Sequence, residues 1–403
     1  SLESSAFTSE AVSKLCSQQC LVEALQLTRH ILQGPHPVSP NHFYCILMRC
    51  IEKKDIHLGR KTHCLIVQSG LDTDMFIASH VIRMFASCGS ILEAYRAFQK
   101  LPCNSVFTWS AIISAHANLG HSTSALELFS HMQTEDVEPD SHLFVAVLKA
   151  CTSNRSLIAG KMVHSYIITC GYEHVVHIGS TLVDMYVKSG SLEDGLRIFY
   201  GLHEKDLVTW NVIIWGCGQH LLVRETLWFL GTMFRVRLEP DQVTLISVLK
   251  VCATAQRLHE GKLIHTHLVE TGDELVLQVG NSIINMYTKC GKLDAAFNVF
   301  RRLPERDVVS WSTLISGYAF YGHERIVTDL FHQMQHEGIA PNIVTWNAMM
   351  ACYAMHGSSH TVFQLFEQIT LEPDCVTLVS LLKACKNLIL LREIHAYIIE
   401  MDF

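Results

Sequence analysis

At 403 residues the chain exceeds the size at which one hydrophobic core keeps growing, so a single monolithic domain is not expected. Hydrophobic residues make up 49% and charged residues 17%, which excludes an intrinsically disordered chain. With 31 Lys and Arg against 38 Asp and Glu, the net charge of −7 argues against indiscriminate gripping of phosphate backbones and leaves base-by-base reading open.

The longest apolar runs, such as Leu143–Leu148 and Ile389–Leu391, fall well below the roughly 20 residues a membrane helix needs. Fifteen cysteines, an odd number with no C-x-x-C pair, read as buried reduced thiols in a reducing compartment. The chain opens on Ser1 without a signal or transit signature and stops at Phe403 inside a periodic unit, so a fragment or processed form is expected.

Taken in order, residues 5–39, around LVEALQL, form a weak first unit. From residue 40 the pattern sharpens into a trio. Residues 40–74 carry Cys50, a Gly-Arg step and His63; 75–105 carry MFASCGS; 106–140 open with VFTWS. The same trio returns at 141–175, 176–206 and 207–241, and again at 242–276, 277–307 and 308–342. A unit at 343–374 opens with IVTWN, and a truncated Cys/His unit runs 375–403, three residues shorter between Cys385 and His395 than its siblings. Trp109, Trp210 and Trp311 mark a 101-residue period, kept equally by Cys50, Cys151 and Cys252, by Gly89, Gly190 and Gly291, and by His63, His164 and His265. Such periodicity signals stacked supersecondary units rather than one core.

Within a unit the spacing is helical. In 308–342, Val309, Leu314, Ile315 and Tyr318 lie on one helix face, and Gly322 breaks that helix. Ile326, Leu330, Phe331 and Met334 then form a second stripe, ended by Gly338 and Pro341. Two such helices cannot bury their stripes alone, so the expected fold class is all-α, a right-handed α-solenoid superhelix of stacked helix-turn-helix hairpins.

The segments VVSWSTLISGYAFYGH, VGNSIINMYTKCGKLDAAFNVFRRLPERD and VTLISVLKVCATAQRLHEGKLIH resemble pentatricopeptide repeats. The 35/35/31 alternation resembles the P-L-S subclass of land plants, over about 40–403 closely and 5–39 loosely. The tetratricopeptide repeat is the nearest rival, but its Trp-x2-Leu-Gly-x2-Tyr pattern is absent.

The resemblance implies single-stranded RNA binding with one base per repeat, read by the fifth and last residues of each unit. Carried over, Ser110 with Asp140 and Ser180 with Asp206 resemble the guanine combination. Asn211 with Asp241, Asn281 with Asp307, and Asn347 with Asp374 resemble the uridine combination, and Ser312 with Asn342 the adenine one. Ser79 with Ser105 leaves its base open. The L-type units carry Tyr44/Asp74, Val145/Val175 and Ile246/Val276 and are given no specificity. Units 75–374 then imply roughly N-G-N-G-U-N-U-A-U, 5′ to 3′.

The chemistry stands beside the resemblance. Short Ser and Asn side chains donate and accept at a Watson–Crick edge, and a loop carboxylate orients them. Apolar second residues (Phe107, Val208, Val309, Val344) are candidates to sandwich the base. Stacking of this kind is worth about 1–3 kcal/mol per base. Lys188 and Lys289 are candidate phosphate contacts.

Plainer readings compete. The recurrent Asp residues can simply cap the next helix. The tryptophans read as core. The Cys/His recurrence reads as packing, since further ligands are lacking, and Cys16 with Cys20 makes an incomplete metal site. No metal or cofactor is expected. Neither His-x-Glu nor Pro-Cys-x-x-Cys occurs, and there is no P-loop, nucleophile elbow or His-Glu-x-x-His, so the chain reads as a binder and not an enzyme. By resemblance its role is C-to-U editing-site recognition in a mitochondrion or chloroplast, with other editing factors as possible partners. Splicing or transcript stabilisation is the alternative within RNA biology, and a protein-binding scaffold the alternative outside it.

Overall fold

The computed structural model describes residues 14–15, 20–33, 39–102, 104–369 and 372–385. Cys16, most of the early part of the 5–39 unit, and His395 with the rest of 386–403 lie outside the described residues. Among the described residues the regular structure is helical throughout, with 22 α-helices and one short 3-10 turn at Asp273–Leu275. None of these helices is long and apolar enough to cross a membrane.

The chain divides into two compact units, Ser1–Ile213 and Ile214–Phe403, with the boundary inside the helix Leu207–Gln219. In the first unit the hairpins pair Pro40–Lys53 with Ile56–Gln68, Met75–Ser87 with Ile91–Gln99, Val106–Asn118 with Ser122–Thr134, Ser141–Ser153 with Leu157–Thr169, and Val176–Lys188 with Leu192–Gly201. In the second they pair Gln242–Thr254 with Leu258–Thr271, Leu277–Lys289 with Leu293–Arg302, Val308–Phe320 with Glu324–His336, and Ile343–Met355 with Ser359–Gln368.

The ends of these helices have local causes. Ser105 and Thr108 form a reciprocal capping box that starts Val106–Asn118, with the Ser105 N–H donating to Thr108 Oγ1 at 2.9 Å. Gly190, at φ 88°, adopts the left-handed turn that ends Val176–Lys188 without a Cβ penalty.

Packing repeats as the sequence does. Each first helix packs on the first helix of the next repeat, so their equivalent residues fall into a row within each unit. The repeated tryptophans are core, as their spacing suggested. Trp109 and Trp311 are fully buried, edge-on to Phe98 and Phe300 at 4.7 Å between ring centroids. The glycine of the Gly-Lys/Arg step has a steric role. A Cβ on Gly59, Gly160 or Gly261 would lie 2.3, 2.2 or 2.5 Å from the sulfur of Met84, Met185 or Met286. The missing side chain leaves room for the methionine of the next first helix to lie against the second helix.

Candidate nucleic-acid interface

The last residue of each P- or S-type unit is the N-cap of the following unit's first helix, its side chain accepting from the third residue's backbone N–H. Asp140 accepts from Leu143 at 2.7 Å, Asp206 from Thr209 at 2.8 Å, Asp307 from Ser310 at 2.8 Å and Asp374 from Thr377 at 2.8 Å. Capping and pairing therefore coexist. The same Oδ1 that caps the helix also meets the fifth residue of the preceding unit.

Four of the expected pairs are in contact. Ser110 Oγ donates to Asp140 at 3.4 Å and Ser180 Oγ to Asp206 at 3.0 Å. Asn281 Nδ2 donates to Asp307 at 3.2 Å and Asn347 Nδ2 to Asp374 at 2.9 Å. All four contacts use Oδ1.

Two expected pairs do not meet. Ser312 Oγ donates instead to the Val309 carbonyl at 3.2 Å, and Asn342 Oδ1 is engaged by the N–H and hydroxyl of Thr345 at 3.0 and 2.9 Å. Ser79 Oγ turns to the Phe76 carbonyl at 2.8 Å, while Ser105 caps Thr108. Asn211 lies in the first compact unit and Asp241, which caps Thr244 at 2.8 Å, in the second. The L-type ends are mixed: Asp74 accepts from the Ile77 N–H at 3.0 Å, whereas Val175 and Val276 precede their helices without any side-chain cap.

The electrostatics fit a carboxylate held ionised. Partial burial raises the Asp307 and Asp374 carboxyls, but donated hydrogen bonds outweigh it and leave both below the ordinary carboxylate range. The backbone N–H groups of Ser310 and Val309 and the Asn281 amide donate to Asp307, and those of Thr377 and Val376 and the Asn347 amide to Asp374.

Around these pairs the candidate sandwich residues are open to solvent: Phe107 is 67% exposed, Val208 59%, Val309 48% and Val344 50%. The second residues Phe76, Val243 and Val376 of other units are equally exposed, which the sequence reading did not single out. In the second unit a groove of about 410 Å³ gathers Ser312, Val344 and Lys289, a reader, a sandwich residue and a phosphate candidate. Its far wall is Phe320, 73% exposed, with the Lys289 ammonium 5.9 Å from its ring centre. Lys188 differs, being ion-paired with Asp184 at 2.8 Å.

The sequence reading also missed a third member of the pairs. Ser310 Oγ lies 2.6 Å from Asn281 Oδ1 and 2.9 Å from Asp307 Oδ1. Thr377 Oγ1 lies 2.7 Å from Asn347 Oδ1 and 2.9 Å from Asp374 Oδ1, and Thr209 Oγ1 lies 2.6 Å from Ser180 Oγ. The signal was present as a Ser or Thr at the third place of VVSWS, LVTWN and CVTLV.

The Cys/His recurrence is packing. Burial pushes the Cys151 thiol up to about 11 and the Cys252 thiol up to about 12. His164 and His265 meet Tyr186 and Tyr287 hydroxyls, each at 2.9 Å, and burial lowers both imidazoles. Among the described residues no cluster of three or more His, Cys, Asp or Glu is arranged to hold a metal ion.

Comparison with known proteins places this geometry. Residues 107–137, 180–207, 208–237, 281–308 and 344–371 match the PPR repeat family, and 303–355 match the pentatricopeptide repeat domain. A chloroplastic pentatricopeptide repeat-containing protein of Arabidopsis thaliana is 36% identical over 305 residues, 75% of this chain and 49% of that protein. A mitochondrial one from the same plant is 30% identical over 319 residues, 79% and 50% respectively. The chain spans about half the length of the curated relatives it matches. The maize pentatricopeptide repeat protein PPR10, solved in complex with an 18-nt psaJ RNA element, superposes with a TM-score of 0.67 at 16% identity. The match covers 98% of this chain and 63% of that one, a likeness of fold.

Proposed function

Because this chain belongs to the pentatricopeptide repeat family, we propose that it binds single-stranded RNA sequence-specifically, one base per repeat, along its row of first helices. The observation that carries the proposal is the set of coupled fifth and last residues. Ser110, Ser180, Asn281 and Asn347 each donate to the carboxylate that caps the following helix. A helix cap alone needs no partner in the preceding repeat. The Asn347 pair lies between the exposed apolar second residues Val344 and Val376, and the Ser110, Ser180 and Asn281 pairs each have one, Phe107, Val208 and Val309, as a wall for a base. The acidic chain can bind in this way because most of the discrimination sits in base edges rather than phosphates.

With the P-L-S arrangement, the repeats over 75–374 read N-G-N-G-U-N-U-A-U, with Asn211/Asp241 and Ser312/Asn342 read by analogy and the L units reading nothing. The biological role is recognition of a C-to-U editing site in an organellar transcript, any base chemistry being supplied by a region beyond residue 403 or by other editing factors. Relatives in both chloroplast and mitochondrion support an organellar address.

A gel-shift titration tests this at fixed salt. It compares RNA carrying G-N-G-U-N-U-A-U with its scrambled form and with a version whose uridines are replaced by guanines. The designed RNA is expected to bind tightest, and replacing both Asn211 and Asn281 by Ala to weaken it about tenfold or more, from two lost base contacts. Equal binding to all three RNAs removes the code, and no binding to any RNA turns the row of helices into a protein-binding scaffold.

A further inference from the structure

Asparagine is an ambiguous reader, because its carbonyl and amino ends are similar in size and a half-turn of the side-chain amide swaps donor for acceptor. That ambiguity matters for pyrimidines. Uracil offers an acceptor at O4 beside a donor at N3, whereas cytosine offers a donor at N4 beside an acceptor at N3. The two edges are the reverse of one another, so the amide's polarity decides which is accepted.

In this protein both ends of the reading amide are held. The Asp307 carboxylate can only accept, so it fixes Nδ2 of Asn281 toward itself at 3.2 Å. Ser310, the third residue of the next repeat, has its hydroxyl 2.6 Å from Oδ1 of the same amide and 2.9 Å from Asp307 Oδ1, and its single proton goes to the shorter contact. Ser310 is fully buried, so its hydroxyl has no water to turn to. Around Asn347 the arrangement recurs with Asp374 at 2.9 Å and the buried Thr377 hydroxyl at 2.7 Å. One N–H and one lone pair of each amide remain for a base. The next repeat provides a contrast: Thr345 bonds only to Asn342, and Ser312 is turned to its own helix.

We propose that the hydroxyl at the third residue of the following repeat, Ser310 behind Asn281 and Thr377 behind Asn347, is a positioning residue that locks the reading amide in the polarity that selects uridine over cytidine. The unit of recognition is therefore three residues spread over two repeats. This rests on the one-base-per-repeat reading above.

The test uses the whole chain and two nine-nucleotide RNAs that differ only at the seventh position, uridine or cytidine, which aligns with repeat 277–307. The unsubstituted chain prefers uridine. In Ser310→Ala the uridine-to-cytidine preference falls about threefold to tenfold, the worth of one hydrogen bond, and Ser310→Thr restores it. Affinity falling equally for both RNAs, with the ratio unchanged, overturns the proposal and leaves the hydroxyl a helix cap. A chain with no uridine preference before substitution overturns the base-per-repeat reading instead. Thr377→Val, read at the ninth nucleotide, repeats the test where Ser310→Ala fails to fold.

Discussion

Repeats 277–307 and 308–342 are neighbours that carry the same kind of reading position and settle it differently. In the first, Asn281 donates to Asp307 across the hairpin and receives the Ser310 hydroxyl. In the second, Ser312 stays on its own helix, bonded to Val309, and Asn342 spends its oxygen on Thr345. Both cap residues do the same local task, but a carboxylate also attracts a second donor with its charge, whereas a neutral amide oxygen competes poorly with a backbone carbonyl. Ser180 shows the competition directly, placed 2.9 Å from the Val176 carbonyl and 3.0 Å from Asp206. A reading pair thus closes where the cap is charged and stays open where it is neutral.

The most severe way to break the closed pair acts through its scaffold. Gly280 precedes Asn281, and a Cβ there would lie 2.4 Å from a Leu303 methyl and 3.2 Å from the Glu274 carbonyl oxygen. The methyl can move, but the backbone oxygen yields little. Gly280→Val is expected to destabilise the hairpin by about 1–3 kcal/mol and to lower the melting temperature. It should also push Leu303 away and separate Asn281 from Asp307, erasing discrimination at the seventh nucleotide. An unchanged melting curve would refute the close approach.

A gentler change sharpens the contrast by converting one repeat into the other. Asn342→Asp keeps the helix cap and supplies the charge that Ser312 lacks. The Ser312 hydroxyl is expected to leave Val309 and donate to the new carboxylate. The pair then matches Ser180 with Asp206, and preference at the eighth nucleotide should move from adenine toward guanine by about tenfold. Competition between RNAs differing only there reads the result. Retained adenine preference would mean that closure of the pair does not determine the base.

These cases show what the chain discloses before it folds. The hairpins were legible because apolar spacing and turn glycines recur, and the residues that meet in the Ser110, Ser180, Asn281 and Asn347 pairs were named through the resemblance to pentatricopeptide repeats, which points to the fifth and last places of a unit. The open state of Ser312 was not legible, because the choice between the carbonyl of its own helix and the cap of the next is made only once the hairpins stack. Ser310 and Thr377 were hidden by an adequate local explanation: a hydroxyl at the third helical position already completes a capping box. The Gly-Lys/Arg step was visible as a pattern, yet its cause, the methionine of the next repeat, exists only after stacking.

The smallest effect separates two lysines that look alike in sequence. Lys188 and Lys289 both end their first helices, but four residues earlier stand Asp184 and Asn285. The first lysine is neutralised by its exposed ion pair, worth at most about 1 kcal/mol, while the second has no carboxylate partner among the described residues and faces the groove beside Phe320. A phosphate reaching Lys188 displaces Asp184 and leaves that carboxylate nearby, so little net attraction remains. Lys289→Ala should weaken RNA binding a few-fold and reduce the slope of log affinity against log salt by about 0.7, one single-strand phosphate contact. Lys188→Ala should leave the slope close to its original value. Equal slopes for the two variants would show that the Lys188–Asp184 pair opens freely to RNA, and that local charge balance, unlike the charge of the caps, does not distinguish one repeat from the next.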